Sequence, residues 1–302
     1  MNTQSNPTAE SFASPVAAPS SPLLTQPFYW SVRRELWENR SIYFAPLGVA
    51  GVFLIGFLAS KMHGLSPDVN HNDAVLAPYD IVAGLMMVTT MLVNVFYCAD
   101  ALYGERRDRS ILFWKSLPVS DLTTVLAKAS IPLVVVPLVA WAIAVAVQWI
   151  MLLLNTAVLL GSGSSVSALW TQASFFRVSW LLFYHLFTAH TLWPAPVYCW
   201  LLLVSGWARR ATLLWAAVPV LAIAGLEAIL FRTTHFVALI GSRLIGASPE
   251  GSSTSPDIFP TNPMTHLHPR GFFSEPGLWI GLALCAAFLA VAVRLRRQSG
   301  PI

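Results

Sequence analysis

Long runs with almost no charged residue dominate this chain, and short polar segments separate them. Six of the runs reach about 17 residues or more, the minimum for a helix that crosses the hydrocarbon core of a bilayer. Because these runs are apolar on all faces apart from single acids in two of them, they indicate membrane-spanning helices. The predicted spans cover about 42–60, 81–103, 129–154, 178–207, 211–231 and 276–293.

Prolines predict irregularities inside two of these spans. Pro132 and Pro137 lie early in the third span, where a transmembrane helix tolerates a kink. The fourth span is the longest and contains Pro194 and Pro196. Because proline removes a backbone donor and clashes with the preceding turn, we expect this span to be bent or broken.

Composition agrees with a membrane protein. Of the 302 residues, 56% are hydrophobic and 11% are charged, and the mean hydropathy is +0.63. A soluble domain has about 25% charged residues. The net charge of +4 does not indicate nucleic-acid binding, because the basic residues lie at the ends of apolar runs. Cys98, Cys199 and Cys285 all fall inside predicted spans, so we expect packing residues and no disulfide framework.

The placement of lysine and arginine predicts the topology. With six spans and both termini in the cytoplasm, 13 of the 18 basic residues lie on the inner side and 5 on the outer side. This agrees with the excess of basic residues in cytoplasmic loops. Two crossings in the fourth span would move Arg209 and Arg210 outside, so we predict one bent helix there.

Two segments precede the first span. Residues 1–26 are rich in Ser, Pro, Ala and Thr and contain no basic residue, which predicts a disordered cytoplasmic tail and excludes a signal peptide. Residues 27–40 have a helical pattern in which aromatic residues alternate with arginines, which suits a helix at the membrane surface. The alternative is a flanking segment that only orients the first span. The interfacial residues are Trp30, Arg33, Arg34 and Trp37.

The densest charged segment is 104–128, between the second and third spans, which we call the polar elbow. We expect a short helix that ends at Pro118, followed by a new helix capped by Ser120 with Asp121 in its first turn. In a single short helix, an apolar side would carry Phe113, Trp114 and Leu117. The polar side would carry Glu105, Asp108, Arg109 and Lys115.

The string E-R-R-D-x-S-I-L-F-W-K-S-L-P-V-S-D in the polar elbow resembles the cytoplasmic loop of ABC type-2 permeases, the membrane subunits of ATP-binding-cassette exporters. The resemblance implies an all-α domain over 27–302 with six spans, an interfacial helix and a cytoplasmic coupling helix that touches a separate ATPase subunit. It also implies association of two copies in the cell inner membrane. The alternative is a solvated basic loop of an unrelated membrane protein. The implied coupling residues are Glu105, Arg106, Arg107, Asp108, Arg109, Phe113, Trp114, Lys115, Leu117 and Pro118.

The sequence contains no phosphate-binding loop of its own. Such a loop needs a Gly-Lys pair, and none of Lys61, Lys115 and Lys128 follows a glycine. We therefore expect ATP and Mg²⁺ on the partner ATPase and no cofactor on this chain. A Gly-x-Ser-x-Gly nucleophile motif is also missing, because the run from Gly161 to Ser165 departs from it.

Few polar residues in the spans suggest chemistry. Glu227 is the one acid that we place well inside a predicted span, so it is a candidate for the pathway or a gate, with a structural acid near Arg232 as the alternative. Asp100 lies at the cytoplasmic edge, where it would position the polar elbow. His185 and His190 are five residues apart and do not share a helix face, so we expect packing residues.

The outer connection 232–275 contains two further features. Residues 235–245 are apolar, and in the family resembled such outer helices help to close the pathway; a surface helix is the alternative. His266 and His268 lack further ligands at a standard spacing, so we predict no metal site.

The favoured function is the permease subunit of an ABC exporter that associates with an ATPase, a second copy and the lipid bilayer. Lipids, peptides, drugs and ions all remain compatible as substrates. Two alternatives are a membrane-embedded enzyme, which would need more acids or a metal cluster at one face, and a transporter or scaffold that works without an ATPase.

Overall fold

The computed structural model describes residues 25–62, 72–116, 119–161, 175–245 and 269–298, and every regular element within them is helical. The predicted disordered tail, residues 1–26, lies almost wholly outside these residues. Leu117, Pro118, His266 and His268 also lie outside the described residues.

Three helices form the N-terminal part of the described chain. Helix α1 covers Thr25–Glu38, as the pattern at 27–40 predicts, and α2 covers Ser41–Met62. Helix α3 covers Asn72–Asp100 and begins before the predicted start at 81. The earlier start places Asp80 within α3.

The polar elbow contains two short helices where we expected one. Helix α4 covers Tyr103–Arg107 and α5 covers Ser110–Ser116. Arg109 lies between them with a left-handed backbone, φ 60°, which separates the two helices. The predicted cap of the next helix is confirmed, because the backbone N–H of Thr123 donates to Ser120 Oγ at 3.0 Å.

The third apolar run continues directly from that capped helix. Helix α6 covers Asp121–Ser130 and α7 covers Val136–Gly161, and five residues of π-helix, Ile131–Val135, connect them. Pro132 and Pro137 lie in or beside this connection, where each lacks the backbone N–H that a regular α-helix would use.

The fourth run is bent, as its prolines predict. Helix α8 covers Phe175–Phe187, a π-helical turn covers Thr188–Leu192, and α9 covers Ala195–Trp207. The two halves meet at 48° on either side of Pro194.

The C-terminal part contains two long and two short helices. They are α10 at Thr212–Phe231, α11 at His235–Ile245, α12 at Pro269–Ser274 and α13 at Pro276–Gln298. Within the described ranges, five helices are long and apolar enough to cross a membrane, and the bent pair would make a sixth if it is one span.

Two apolar clusters hold the helices together. One cluster joins α2, α3, α6, α9 and α13 through residues such as Ile42, Val125 and Tyr198. The other joins α2, α3, α7 and α8 through Met86, Met151 and Leu186. The first cluster lies beside the polar elbow, so it positions the charged residues described next.

Candidate functional site

Glu105 is the centre of a buried group of charges at the polar elbow. Its side chain is 5% exposed, and Lys128 Nζ and Arg34 Nη2 each lie 3.2 Å from its Oε1. Arg296 Nη1 donates to the other oxygen, Oε2. These three cations come from α6, α1 and α13, so one carboxylate joins α4 to three other helices.

A second buried carboxylate, Glu35 of α1, extends the group. Lys128 Nζ lies 2.7 Å from Glu35 Oε1, and the Tyr97 hydroxyl donates to Glu35 Oε2 at 2.9 Å. On the other side, Arg296 Nε donates to Asp121 Oδ1 at 3.1 Å. We call these residues the charge cluster: Arg34, Glu35, Tyr97, Glu105, Asp121, Lys128 and Arg296.

The charge cluster is electrically balanced, with three acids and three bases. Buried charges are tolerated when they are paired and hydrogen-bonded, and removing one partner leaves an uncompensated charge. Burial disfavours the charge on Arg34, but the hydrogen bonds that Arg34 donates to Glu38 and the charges of Glu38, Glu35 and Glu105 outweigh it and raise the pKa of Arg34. The ion pairs and hydrogen bonds of the cluster therefore hold its side chains in fixed positions.

The charged run 105–109 divides into a part that packs against this chain and a part that is exposed to solvent. Glu105 is buried, and Arg106 Nη1 donates to the carbonyl oxygens of Gly206 at 2.7 Å and Ala208 at 3.3 Å, at the end of α9. Arg107, Asp108 and Arg109 are exposed. The prediction that Glu105 lies on the polar side of one short helix is therefore wrong, and Arg106 also has its partners in this chain.

The predicted apolar anchor of the polar elbow also differs. Phe113 is 60% exposed, whereas Ile111 is 1% exposed and takes the buried position. The left-handed turn at Arg109 explains the difference, because one helical periodicity does not continue through α4 and α5. Trp114 does face inward: the guanidinium carbon of Arg34 lies 3.3 Å from the centre of its ring. Lys115 is exposed, and its Nζ donates to the Arg297 carbonyl at 3.4 Å.

Helix α1 presents two different faces. Val32 and Leu36 pack against the first apolar cluster, and Glu35 lies on the same side in the charge cluster. On the opposite side, the guanidinium of Arg33 lies 5.1 Å from the ring of Trp30 and 4.9 Å from the ring of Trp37. The structure thus separates the two arginines that the sequence grouped: Arg34 faces inward and Arg33 outward.

Glu227 contacts the start of α11. Its Oε1 accepts hydrogen bonds from Thr233 Oγ1 and the His235 backbone N–H, and its Oε2 accepts one from the Phe236 N–H, each at 2.8 Å. A carboxylate at a helix N-terminus satisfies otherwise unpaired N–H groups. This geometry favours the structural alternative for Glu227, and among described residues its partner is the helix end and not Arg232.

Arg243 fixes the other end of α11. It donates to the Trp193 carbonyl at 3.1 Å and to the Gly277 carbonyl, and its guanidinium lies 4.0 Å from the ring of Trp193. The indole N–H of Trp193 donates in turn to the Ser242 carbonyl at 2.9 Å. No sequence signal indicates this role, because one arginine in the long connection 232–275 resembles any exposed base.

The remaining candidates offer little chemistry. Asp80 and His185 line the same small cavity between α3 and α8. In the part of the chain that the structure describes, no three His, Cys, Asp or Glu side chains could hold a metal ion together.

The prediction that all cysteines are packing residues is wrong for two of them. Cys199 of α9 and Cys285 of α13 form a disulfide, with Cα atoms 5.4 Å apart. Cys98 is buried and is a free cysteine. Sequence separation hides this pair, because the two residues come together only when α9 packs along α13.

Comparison of the chain with protein-family models and with curated proteins finds no match.

Proposed function

We propose that this chain is the membrane subunit of an ABC type-2 exporter, with six spans and both termini in the cytoplasm of the cell. An ATPase on a separate chain would bind and hydrolyse ATP and drive the movement. The polar-elbow string and the five or six apolar helices support this proposal. Two copies of the chain would form the pathway between them.

The observation that carries the proposal is the position of Glu105. A relay between a soluble motor and membrane helices needs a stiff connection from its surface to those helices. Glu105 provides one, because it follows the end of α3 and pairs with Lys128 at the start of the third apolar run and with Arg296 at the end of the last. Buried ion pairs resist separation far more than exposed ones do.

The outward side of the polar elbow has the chemistry of a protein interface. Arg107, Asp108 and Arg109 are exposed beside the apolar side chains of Leu112 and Phe113, which are 59% and 60% exposed. Arginine and aromatic residues are enriched where proteins bind one another. The guanidinium groups would pair with carboxylates of the ATPase, and the two apolar side chains would enter a pocket on it.

The proposed mechanism follows from these two surfaces. When the ATPase subunits change shape on binding ATP, they displace the outward face of α4 and α5. The charge cluster transmits that displacement to the cytoplasmic ends of the third and last apolar helices. A tilt of these helices would then switch access to the pathway from the inner to the outer side.

The experiment is gentle purification of the tagged full-length chain from its own cell membranes. We expect an ATP-hydrolysing chain to accompany it, identified by mass spectrometry and by ATP hydrolysis in the eluate. Combined Arg107→Glu and Arg109→Glu should remove that chain, because the reversed charges repel its carboxylates. Combined Arg177→Glu and Arg232→Glu, the same charge change at the opposite end, should keep it. Absence of any such ATPase with the parent chain would contradict the proposal.

A further inference from the structure

We propose that the exposed face of α1 is a binding site for the phosphate group of an anionic phospholipid, with Arg33 as the cation that holds it. Trp30 and Trp37 form the walls of the site. This inference requires a chain embedded in a membrane, but it does not depend on an ATPase partner or on transport.

The charge cluster fixes the direction in which this face points. Glu35 is held by Lys128 and Tyr97 on one side of α1, and Val32 and Leu36 pack on the same side. Because Arg33 lies on the opposite side, α1 cannot turn it inward without breaking a buried ion pair. The outward position is therefore part of the fold.

The exposed face combines a charge with two large rings. Trp30 is 58% exposed and Trp37 is 69% exposed, and the Arg33 guanidinium lies about equally far from both rings, at 5.1 and 4.9 Å. Among the described residues, Arg33 forms no ion pair with a carboxylate, unlike Arg34 beside it. Stacking on aromatic rings leaves the in-plane N–H donors of a guanidinium available, and their fork matches a phosphate.

The position along the chain identifies the occupant as lipid. Helix α1 ends at Glu38 and the first apolar helix begins at Ser41, so this face lies at the height where that helix enters the bilayer. Phe44 and Leu47, near the start of α2, are exposed and would lie among acyl chains. Tryptophan concentrates at this depth, and basic residues there attract anionic headgroups.

The site should discriminate by charge. The headgroup of phosphatidylglycerol carries a net negative charge. The headgroup of phosphatidylcholine has no net charge, because its ammonium group balances the phosphate. Arg40 is also exposed, between α1 and α2, and adds positive charge close by. We expect free inorganic phosphate to bind far more weakly, because the two indole walls contribute only when the ligand also brings acyl chains.

Native mass spectrometry of the detergent-solubilised full-length protein tests this, with phosphatidylglycerol and phosphatidylcholine titrated separately. We expect the parent to retain phosphatidylglycerol in preference, and Arg33→Gln to weaken that retention about five-fold, the effect of losing one basic contact at a membrane surface. The matched control is Arg294→Gln, which removes an exposed charge near the cytoplasmic end of α13. It should change retention little.

Four results would overturn the proposal. Equal losses in both variants would mean that only net charge matters, and no loss in the Arg33 variant would mean that the site is elsewhere. Displacement of the lipid by inorganic phosphate at equal concentration would indicate a simple anion site. If Arg33→Gln kept its lipid but lost the co-purifying ATPase, the face would be a protein interface. A melting temperature equal to that of the parent would show that each variant is folded.

Discussion

Lys128 Nζ lies 2.7 Å from Glu35 Oε1, in a pair whose side chains are 2% and 3% exposed. The two residues are far apart in the sequence, one before the first apolar helix and the other at the start of the third. Lys128 also lies 3.2 Å from Glu105. One lysine therefore joins the surface helix α1, the polar elbow and a long apolar helix.

Lys128→Met should destabilise the protein strongly. It leaves Glu35 and Glu105 buried with less compensating charge, and the loss of one partner from a buried ion group costs about 3–5 kcal/mol. Thermal unfolding in detergent should show a clearly lower melting temperature. Lys115→Met, which removes an exposed lysine from the same elbow, is the matched control and should have a small effect.

A double-mutant cycle separates pairing from packing at the same site. Combining Lys128→Met with Glu35→Gln removes both charges of the pair, so the loss of stability should be smaller than the sum of the two single losses. Losses that simply add would show that the two residues do not interact in the folded protein.

Glu227→Ala should loosen the start of α11. The variant removes both oxygens that accept from Thr233, His235 and Phe236, and loss of a helix cap costs about 1 kcal/mol. Glu227→Gln keeps one acceptor oxygen and should have an intermediate effect. Amide hydrogen exchange at 235–238 reports the difference. If exchange were unchanged in the Ala variant while export of a substrate fell, Glu227 would have a pathway role and not a capping role.

Arg243→Lys should free the other end of α11, although it keeps the charge. A lysine cannot donate to the Trp193 and Gly277 carbonyls with the same planar fork and also stack on the Trp193 ring. We expect faster hydrogen exchange over 239–245 in this variant. Arg177→Lys, the same substitution at an exposed arginine of α8, should leave that exchange unchanged. Equal protection in the two variants would show that Arg243 does not hold the helix.

The sequence predicts the helices well and their interior contacts poorly. Apolar length is a local property, so the starts of α2, α10 and α13 agree with the patterns at 42, 211 and 276 to within a residue. Ser120 as a cap and the bend at Pro194 are local as well. The early start of α3 was missed because residues 72–80 include polar positions that end the apolar run.

The charge cluster was hidden for a different reason. Glu35, Glu105 and Arg296 each occur in short charged segments at the ends of apolar runs, where an exposed position is the usual expectation. Only the packing of α1, α4 and α13 around Lys128 shows that they are buried together. The clearest available signal was Lys128 itself, the lone base in the otherwise apolar run that follows Asp121.

The central claim is that the outward face of the polar elbow receives movement from an ATPase. The direct measurement uses the co-purified complex in lipid nanodiscs, with a cysteine introduced at the exposed Thr234 beside α11. Its labelling rate with a thiol reagent is compared with and without a non-hydrolysable ATP analogue. We predict that the analogue changes this rate in the parent and in the control Arg177→Glu, which alters an exposed arginine of α8.

Trp114→Ala is the decisive variant in this measurement. It removes the ring that packs against Arg34 but leaves Arg107, Asp108 and Arg109 in place, so the ATPase should still bind. We predict that the ATPase co-purifies in normal amount while the response of the Thr234 cysteine to the ATP analogue is lost. A response equal to that of the parent, with the ATPase bound, would contradict the assignment of the polar elbow as the coupling element.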